Sequence, residues 1–305
     1  TRTVQALRTA GVQPGYLQLD DWYYDGVIYE GAVSCVRSWE GARRDWFPSG
    51  LAAFSQRLAR IPLLLYMPYL CNDTAYRSTY TLATQPTSKT KRGGVPDAPP
   101  GANCTWPDGK QCVGTYSLPS PNESARFYAD RFASGKANGM VAFEHDFVGQ
   151  DSLDFGWDAE LGAGAQWLAG MGHAASEQRV PMQLCLVTAS DLLASLSMPW
   201  VTNARASGDY AFCADSWDIG FPSLLHWAVG VRPFKDVMWT TPHQPGSPYE
   251  NTTLLPSMYK RCLDAKGRHA QPNVRLDALV SAFSTGPVGL GDGQGLTDAS
   301  LALAT

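Results

Sequence analysis

The chain has 305 residues, 44% of them hydrophobic and 17% charged, with a formal net charge of −4. That length and apolar share suit one barrel-sized unit with a real core, and the acidic balance argues against a nucleic-acid binder, which needs clustered Lys and Arg. No apolar run approaches the roughly 18 residues of a membrane span.

In chain order, the periodicity predicts a helix over 2–10, a strand over 15–20 and a helix over 50–60 set between Ser49 and Pro62. A strand over 62–67 follows. After a long gap come a helix over 122–136, with Asn122 ahead of it and Gly135 behind, and a strand over 139–145. Helices at 158–178, 190–197 and 216–230 then alternate with strands at 182–187, 200–204 and 236–240. Helices at 254–265 and 274–284 and a strand at 286–290 close the series. Such alternation implies parallel βα units. The fold class read from it is α/β, a (β/α)8 TIM barrel over 1–305 whose first strand is cut away; an open doubly wound sheet is the alternative. There is no initiator Met and no signal peptide, and both ends are helix-like, so the chain reads as a piece of a longer protein.

The gap, residues 68–121, is rich in Pro, Gly, Thr and Ser and is expected to form a long loop excursion over the barrel mouth. Its basic run "SKTKRGG" reads as a solvated loop. The seven cysteines form no C-x-x-C pair, and "CTWPDGKQC" places Cys104 and Cys112 to close a small loop. Four sequons, at Asn72, Asn103, Asn122 and Asn251, are expected to carry N-glycans. Together with a disulfide they point to the secretory pathway, either extracellular or lysosome- or vacuole-like.

In a barrel the strand C-terminal ends build the site. Those ends carry Asp20, Asp21 and Trp22, then Tyr66 and Tyr69, then Glu144, His145 and Asp146, then Asn203, Arg205 and Asp209, and finally Trp239, His243 and Asp292. Helix N-caps also place Asp just after strands, which applies most to Asp191 and Asp292. His145 alternates away from Glu144 and Asp146 and is expected in the core. Carboxylates among Trp and Tyr rings suit a carbohydrate: sugar C–H faces stack on rings, and carboxylates accept from paired hydroxyls. Two adjacent aspartates after "YLQL" can each take a different hydroxyl. The histidines show no metal-ligand spacing, no G-x-S-x-G occurs, and "GLGDGQG" breaks the dinucleotide pattern, so no metal or cofactor is expected.

The motifs "YLQLDDWYYDG", "DWFPSGLAAF", "VAFEHDF", "RASGDY" and "STGPVGLGD" stand in an order that resembles clan D glycoside hydrolases, the α-galactosidase (melibiase) and raffinose-synthase-like group. The resemblance covers about residues 12 to 295. It implies sugar binding by Asp20 and Asp21, a catalytic nucleophile at Asp146 and an acid/base at Asp209, four residues after Arg205. Double displacement with retention needs the two catalytic carboxyls about 5–5.5 Å apart. The acid must keep its proton, so burial of Asp209 is expected. Arg205 would orient Asp146 or a sugar hydroxyl, and Trp22, Tyr66 and Trp239 are the candidate stacking platforms. Glu144 stands where the group has Lys, on a specificity position, as does the apolar end of "LCLVTAS". The implied partner is an oligosaccharide or glycoconjugate. The alternatives are a carbohydrate-binding pseudoenzyme or structural glycoprotein module, which the Glu144 substitution and the long sequon-rich loop would suit, and a transglycosylase of the raffinose-synthase type, which uses the same residues.

Overall fold

The computed structural model describes residues 2–29, 32–58, 61–86, 104–105, 111–112, 115–149, 155–157, 161–210, 219–246, 264–268 and 270–305. They fall into two compact units, residues 16–202 and residues 1–15 with 203–305.

The strands of the first unit are β1 (Leu17–Leu19), β2 (Asp25–Tyr29), β3 (Ala32–Ser38), β4 (Leu63–Met67), β5 (Leu70–Cys71), β6 (Leu82–Pro86), β7 (Cys104–Thr105), β8 (Gln111–Cys112), β9 (Thr115–Pro119), β10 (Met140–His145) and β11 (Met182–Leu184). Parallel pairing joins β1 to β4, β4 to β10 and β10 to β11. The run Leu-Leu-Leu-Tyr-Met of β4 is buried at all five positions, as a strand covered on both faces must be. Gly139, the turn residue just before β10, has φ +93, and a Cβ there would also sit 2.4 Å from the Ser55 hydroxyl; only glycine meets both demands. Helices Ser124–Ala137 and Ala163–Gln178 pack beside each other. They bury Phe127, Tyr128, Phe132, Trp167 and Met171.

The strand β12 (Val201–Arg205) begins in this unit and ends in the other. Thr202 Oγ1 donates to Met182 O, and Met182 N–H donates to Trp200 O. In the second unit, Asn203 to Arg205 pair in parallel with β13 (Arg232–Phe234). Counted through β12, six parallel strands stand in the order β1-β4-β10-β11-β12-β13. The α/β class and the parallel sheet are as read from the sequence; among the described residues five of the seven strands expected in this chain are present, and β13 makes the sixth of the sheet. The runs at 236–240 and 286–290 reduce to one bridge, Met238 to Leu290, while the short, Pro-containing β13 was not foreseen.

A second sheet, β2-β3-β5-β9-β6, was also not foreseen. It uses parts of the 68–121 stretch, which therefore holds paired strands as well as loop. Its β3 and β5 are tied by a disulfide between Cys35 and Cys71, 36 residues apart. A closed loop of that size removes enough unfolded-chain entropy that reduction, or Cys35→Ala with Cys71→Ala, is expected to cost about 3–4 kcal/mol; denaturant unfolding with and without reductant measures it. Cys104 and Cys112 are backbone partners in the β7–β8 ribbon, but their side chains lie outside the described residues. The same holds for Asn103, Asn251 and most of the helix expected at 254–265, of which Asp264 and Ala265 belong to a turn. Asn72 and Asn122 are exposed.

The expected caps differ in detail. Glu123, not Asn122, precedes the helix Ser124–Ala137, and Gly135 lies inside it. Ser49 precedes the helix Gly50–Arg57 without capping it through its side chain. Asp191 does serve a helix start: Thr188 is the N-cap, and Asp191, three residues on, closes the capping box by accepting the Thr188 N–H. Asp292 is a latch rather than a cap, accepting from Thr240 N–H at 2.8 Å, Thr240 Oγ1 at 2.7 Å and Gln244 Nε2 at 2.8 Å.

The second unit also holds a buried ion pair. Lys235 and Asp277 are each 1% exposed, with Nζ 3.8 Å from Oδ1. Lys235 donates to Val237 O at 3.1 Å and lies 4.7 Å from the Tyr210 ring centre. Gln271 Nε2 donates to Asp277 at 2.5 Å.

Candidate active site

In the first unit, the C-terminal ends of β1, β4 and β10 bring carboxylates and phenols together. Register sets this: Glu144 lies opposite Tyr66, and His145 opposite Met67. The Tyr66 hydroxyl donates to Asp146 Oδ2 at 2.8 Å, and Asp146 Oδ1 accepts the N–H of Phe147 at 2.7 Å. Both carboxylate oxygens of a buried Asp146 are thus held by donors. Burial, then the Asp146 charge, pushes the Tyr66 phenol well above its ordinary range, so it remains a proton-bearing donor. Tyr24 stacks almost parallel on Tyr66 at 6.5 Å. Its phenol is likewise raised by burial and then by Asp21.

The Gln18 amide links two further carboxylates, donating to Glu144 Oε2 at 2.6 Å and to Asp20 Oδ2 at 3.0 Å. Glu144 is 3% exposed. A buried anion needs such a donor, and the amide also separates the two like charges. Asp20 Oδ1 accepts the N–H of Asp21 at 2.8 Å, and Trp22 N–H turns back to Asp20 O. Asp20, Asp21, Glu144, Asp146 and Tyr66 are therefore all part of, or one residue from, this strand-end arrangement. His145 points the other way, fully buried, with Nδ1 at Asp146 O and Nε2 at the Tyr128 hydroxyl. It is a core histidine, as expected.

In the second unit, Arg205 closes β12. Its Nη2 meets Asp209 Oδ1 at 2.7 Å, and its Nη1 lies 3.4 Å from Asp236 Oδ2. Asp236 was missed, although it stands two residues past β13 and obeys the strand-end rule; the signal was there once "RPF" is recognised as a strand. It gathers the loop, accepting Tyr210 N–H at 2.6 Å and capping Val237 N–H at 2.8 Å, while its own N–H donates to Ser207.

Three expectations need correction here. Asp209 is not buried: its side chain is 76% exposed and paired with Arg205. Trp239 is 2% exposed, with its ring against Tyr210 at 5.9 Å, so it presents no face to a sugar. Tyr66, at 4% exposure, acts through its hydroxyl on Asp146 rather than as a platform. Trp22 stays partly open. Among the described residues, no group of three His, Cys, Asp or Glu side chains is arranged to hold a metal. No helix there is long and apolar enough to cross a membrane.

No protein-family model matches the sequence, and no curated protein matches it. Solved structures do match the fold, and among them are glycosidases of the clan that the strand-end motifs resemble. One is a GH27 β-L-arabinopyranosidase from Geobacillus stearothermophilus in complex with arabinose, at TM-score 0.58 and 12% identity. The match covers 98% of this chain and 68% of that one. Another is an α-galactosidase from Thermus thermophilus in complex with stachyose, at TM-score 0.52 and 18% identity. There the match covers 97% of this chain and 58% of that one. The chain thus spans about two thirds or less of these proteins' lengths.

Proposed function

We propose that this chain is the catalytic barrel of a retaining glycoside hydrolase acting on an α-linked, α-galactoside-like substrate. The observation that carries the reading is the buried Asp146, held by Tyr66 at a strand end beside the Gln18-linked pair Asp20 and Glu144. The fold shared with two glycosidases supports it. In the mechanism, an Asp146 oxygen attacks the anomeric carbon as the glycosidic C–O bond breaks, and Asp209 gives its proton to the leaving oxygen. Asp209 then takes a proton from water, which attacks the glycosyl ester and frees Asp146. Asp20 and Asp21 accept from sugar hydroxyls, and Arg205 positions Asp209. The exposed Asn72 and Asn122 sequons and the Cys35–Cys71 disulfide support N-glycosylation and a secretory route.

A second reading, a sugar-binding module without turnover, is favoured by one observation, the exposed and ion-paired Asp209. Incubating the full chain with aryl α- and β-glycosides, galactosides and L-arabinopyranosides included, separates the two. Turnover of an α-galactoside or β-L-arabinopyranoside with retention supports the hydrolase; binding without turnover supports the module. If the enzyme is active, Tyr66→Phe is expected to lower kcat about tenfold, the loss of one hydrogen bond to a charged group, with KM little changed. An unchanged kcat would remove Asp146 from the reaction or Tyr66 from its support.

A further inference from the structure

The turn after β3 carries an exposed indole that the strand-end site does not use. Trp46 is 56% exposed, yet its backbone is fixed. Its N–H donates to Arg43 O at 3.1 Å, and the Phe47 N–H donates to the same oxygen at 2.7 Å. The Arg43 N–H in turn donates to Tyr23 O at 2.8 Å, which ties the turn to the segment bearing Asp20, Asp21 and Trp22. The Trp46 ring centre lies 5.3 Å from that of Trp22, at a 40° tilt. Phe47 backs Trp22 almost parallel at 6.0 Å and is itself braced edge-on by Phe54 at 5.0 Å.

Single exposed apolar residues are ordinary on protein surfaces and need no explanation. This one is held rigidly, continues a second indole, and is bordered by hydrogen-bonding groups. The Arg43 guanidinium lies 5.1 Å from its ring centre and is itself held by both oxygens of the exposed Asp45, at 3.2 and 2.6 Å. Flat apolar faces with charged donors and acceptors at their edge match a pyranose, whose C–H face is apolar and whose rim is hydroxyl. A protein partner would ask for a wider apolar patch and less charge at its centre.

We propose that Trp46, with Trp22, forms a second-sugar subsite, stacking the unit next to the residue held by Asp20 and Asp21. The proposal rests on the glycosidase reading for its substrate class, an oligosaccharide rather than a simple glycoside. Arg43 and Asp45 supply the polar rim.

The test uses the full chain in an Asp146→Asn background, so that no sugar is consumed. Stachyose and methyl α-galactoside are titrated into that protein and into versions also carrying Trp46→Ala or Trp46→Phe, followed by calorimetry and indole fluorescence. Trp46→Ala is expected to weaken stachyose about three- to tenfold, the range of one aromatic stacking contact, relative to methyl α-galactoside. Trp46→Phe, which keeps a ring, is expected to recover most of that loss. An equal effect on both sugars, no effect, or no stachyose binding by the parent would overturn the subsite. Turnover of aryl glycosides by the wild type is scored separately: stachyose binding that depends on Trp46 without turnover keeps the subsite and sinks the hydrolase. Turnover with Trp46-independent stachyose binding sinks the subsite alone.

Discussion

Asp146→Asn is expected to lower kcat by on the order of 10^4-fold or more on any glycoside the protein turns over. The substitution is nearly isosteric, but only one of the two carboxylate oxygens survives as an acceptor, and the new NH2 can only donate. With the amide oxygen accepting from Phe147 N–H, whose contact is at 2.7 Å, the NH2 faces the Tyr66 oxygen, whose contact is at 2.8 Å, and that hydroxyl turns to accept, so the side chain keeps two partners. Thermal stability should stay within a few degrees, which separates lost chemistry from lost fold. What disappears is the anionic oxygen that forms the glycosyl ester. Asp209→Asn supplies the contrast. A general acid contributes about 10^2–10^4-fold, and the loss should shrink for aryl leaving groups that depart without a proton. Added azide should then return turnover in Asp209→Asn as glycosyl azide, since a small anion can attack the ester without a base. If Asp146→Asn keeps wild-type turnover, Asp146 is not the nucleophile, whatever the sugar.

The second large effect is on stability. Lys235→Met is expected to destabilise the protein by about 3–5 kcal/mol, because it strands the Asp277 carboxylate where water cannot reach it. Gln271 remains as a donor at 2.5 Å, which is why the figure is not larger. Replacing both, as Lys235→Met with Asp277→Leu, should return most of the loss, since a buried pair and well-packed apolar side chains of like volume come out nearly even. Burial lowers the Lys235 ammonium below its ordinary range and raises the Asp277 carboxyl above its own, in each case with the partner's charge opposing. The signs follow from linkage. A carboxyl raised in the folded state binds its proton there first, so its contribution is fully present below the unfolded carboxylate range and is lost as pH rises through the folded value. Lys235→Met alone removes the ammonium whose charge opposes the effect of burial on Asp277, so acidification from neutral toward pH ~4 should recover part of its stability. Urea midpoints across that range decide it; a flat profile would mean that Asp277 finds another cation.

Legibility in the sequence followed a physical division. The parallel strand β4 was readable because burial on both faces leaves an apolar run with nothing to interrupt it, and β10 was readable from the apolar run Met140 to Phe143 that leads into its polar end. Helices such as Ala163–Gln178 and Val274–Ser284 were readable from their period. The hairpin of β2 and β3 was not, because Asp25 and Arg37 break up its apolar pattern although Cys35 and Val36 are fully buried. The three residues of β13 include a proline and an arginine and owe their conformation to pairing with β12. With β13 unread, Asp236 was credited to the start of a strand instead of the end of one. Cys35 and Cys71 were not paired in advance because they meet through a sheet that sequence cannot see, whereas Cys104 and Cys112 stand at the ends of a nine-residue stretch that it can. The carboxylates at the ends of β1 and β10 were legible because alternation fixes which way they leave the strand. The exposure of Asp209 was not, because it depends on Arg205 and on a loop whose course no local pattern states.

One backbone angle sets a rule for finding relatives. Phe147, the residue directly after Asp146, has φ +62, and its N–H is the donor that fixes one oxygen of that carboxylate. A β-branched side chain is a true outlier in that region, whereas glycine or asparagine enters it readily. Chains that hold the carboxylate in the same way should therefore lack valine, isoleucine and threonine at the next position. At the low identities that separate this chain from its structural neighbours, such an exclusion is a check on whether an aligned carboxylate is held by the same backbone geometry.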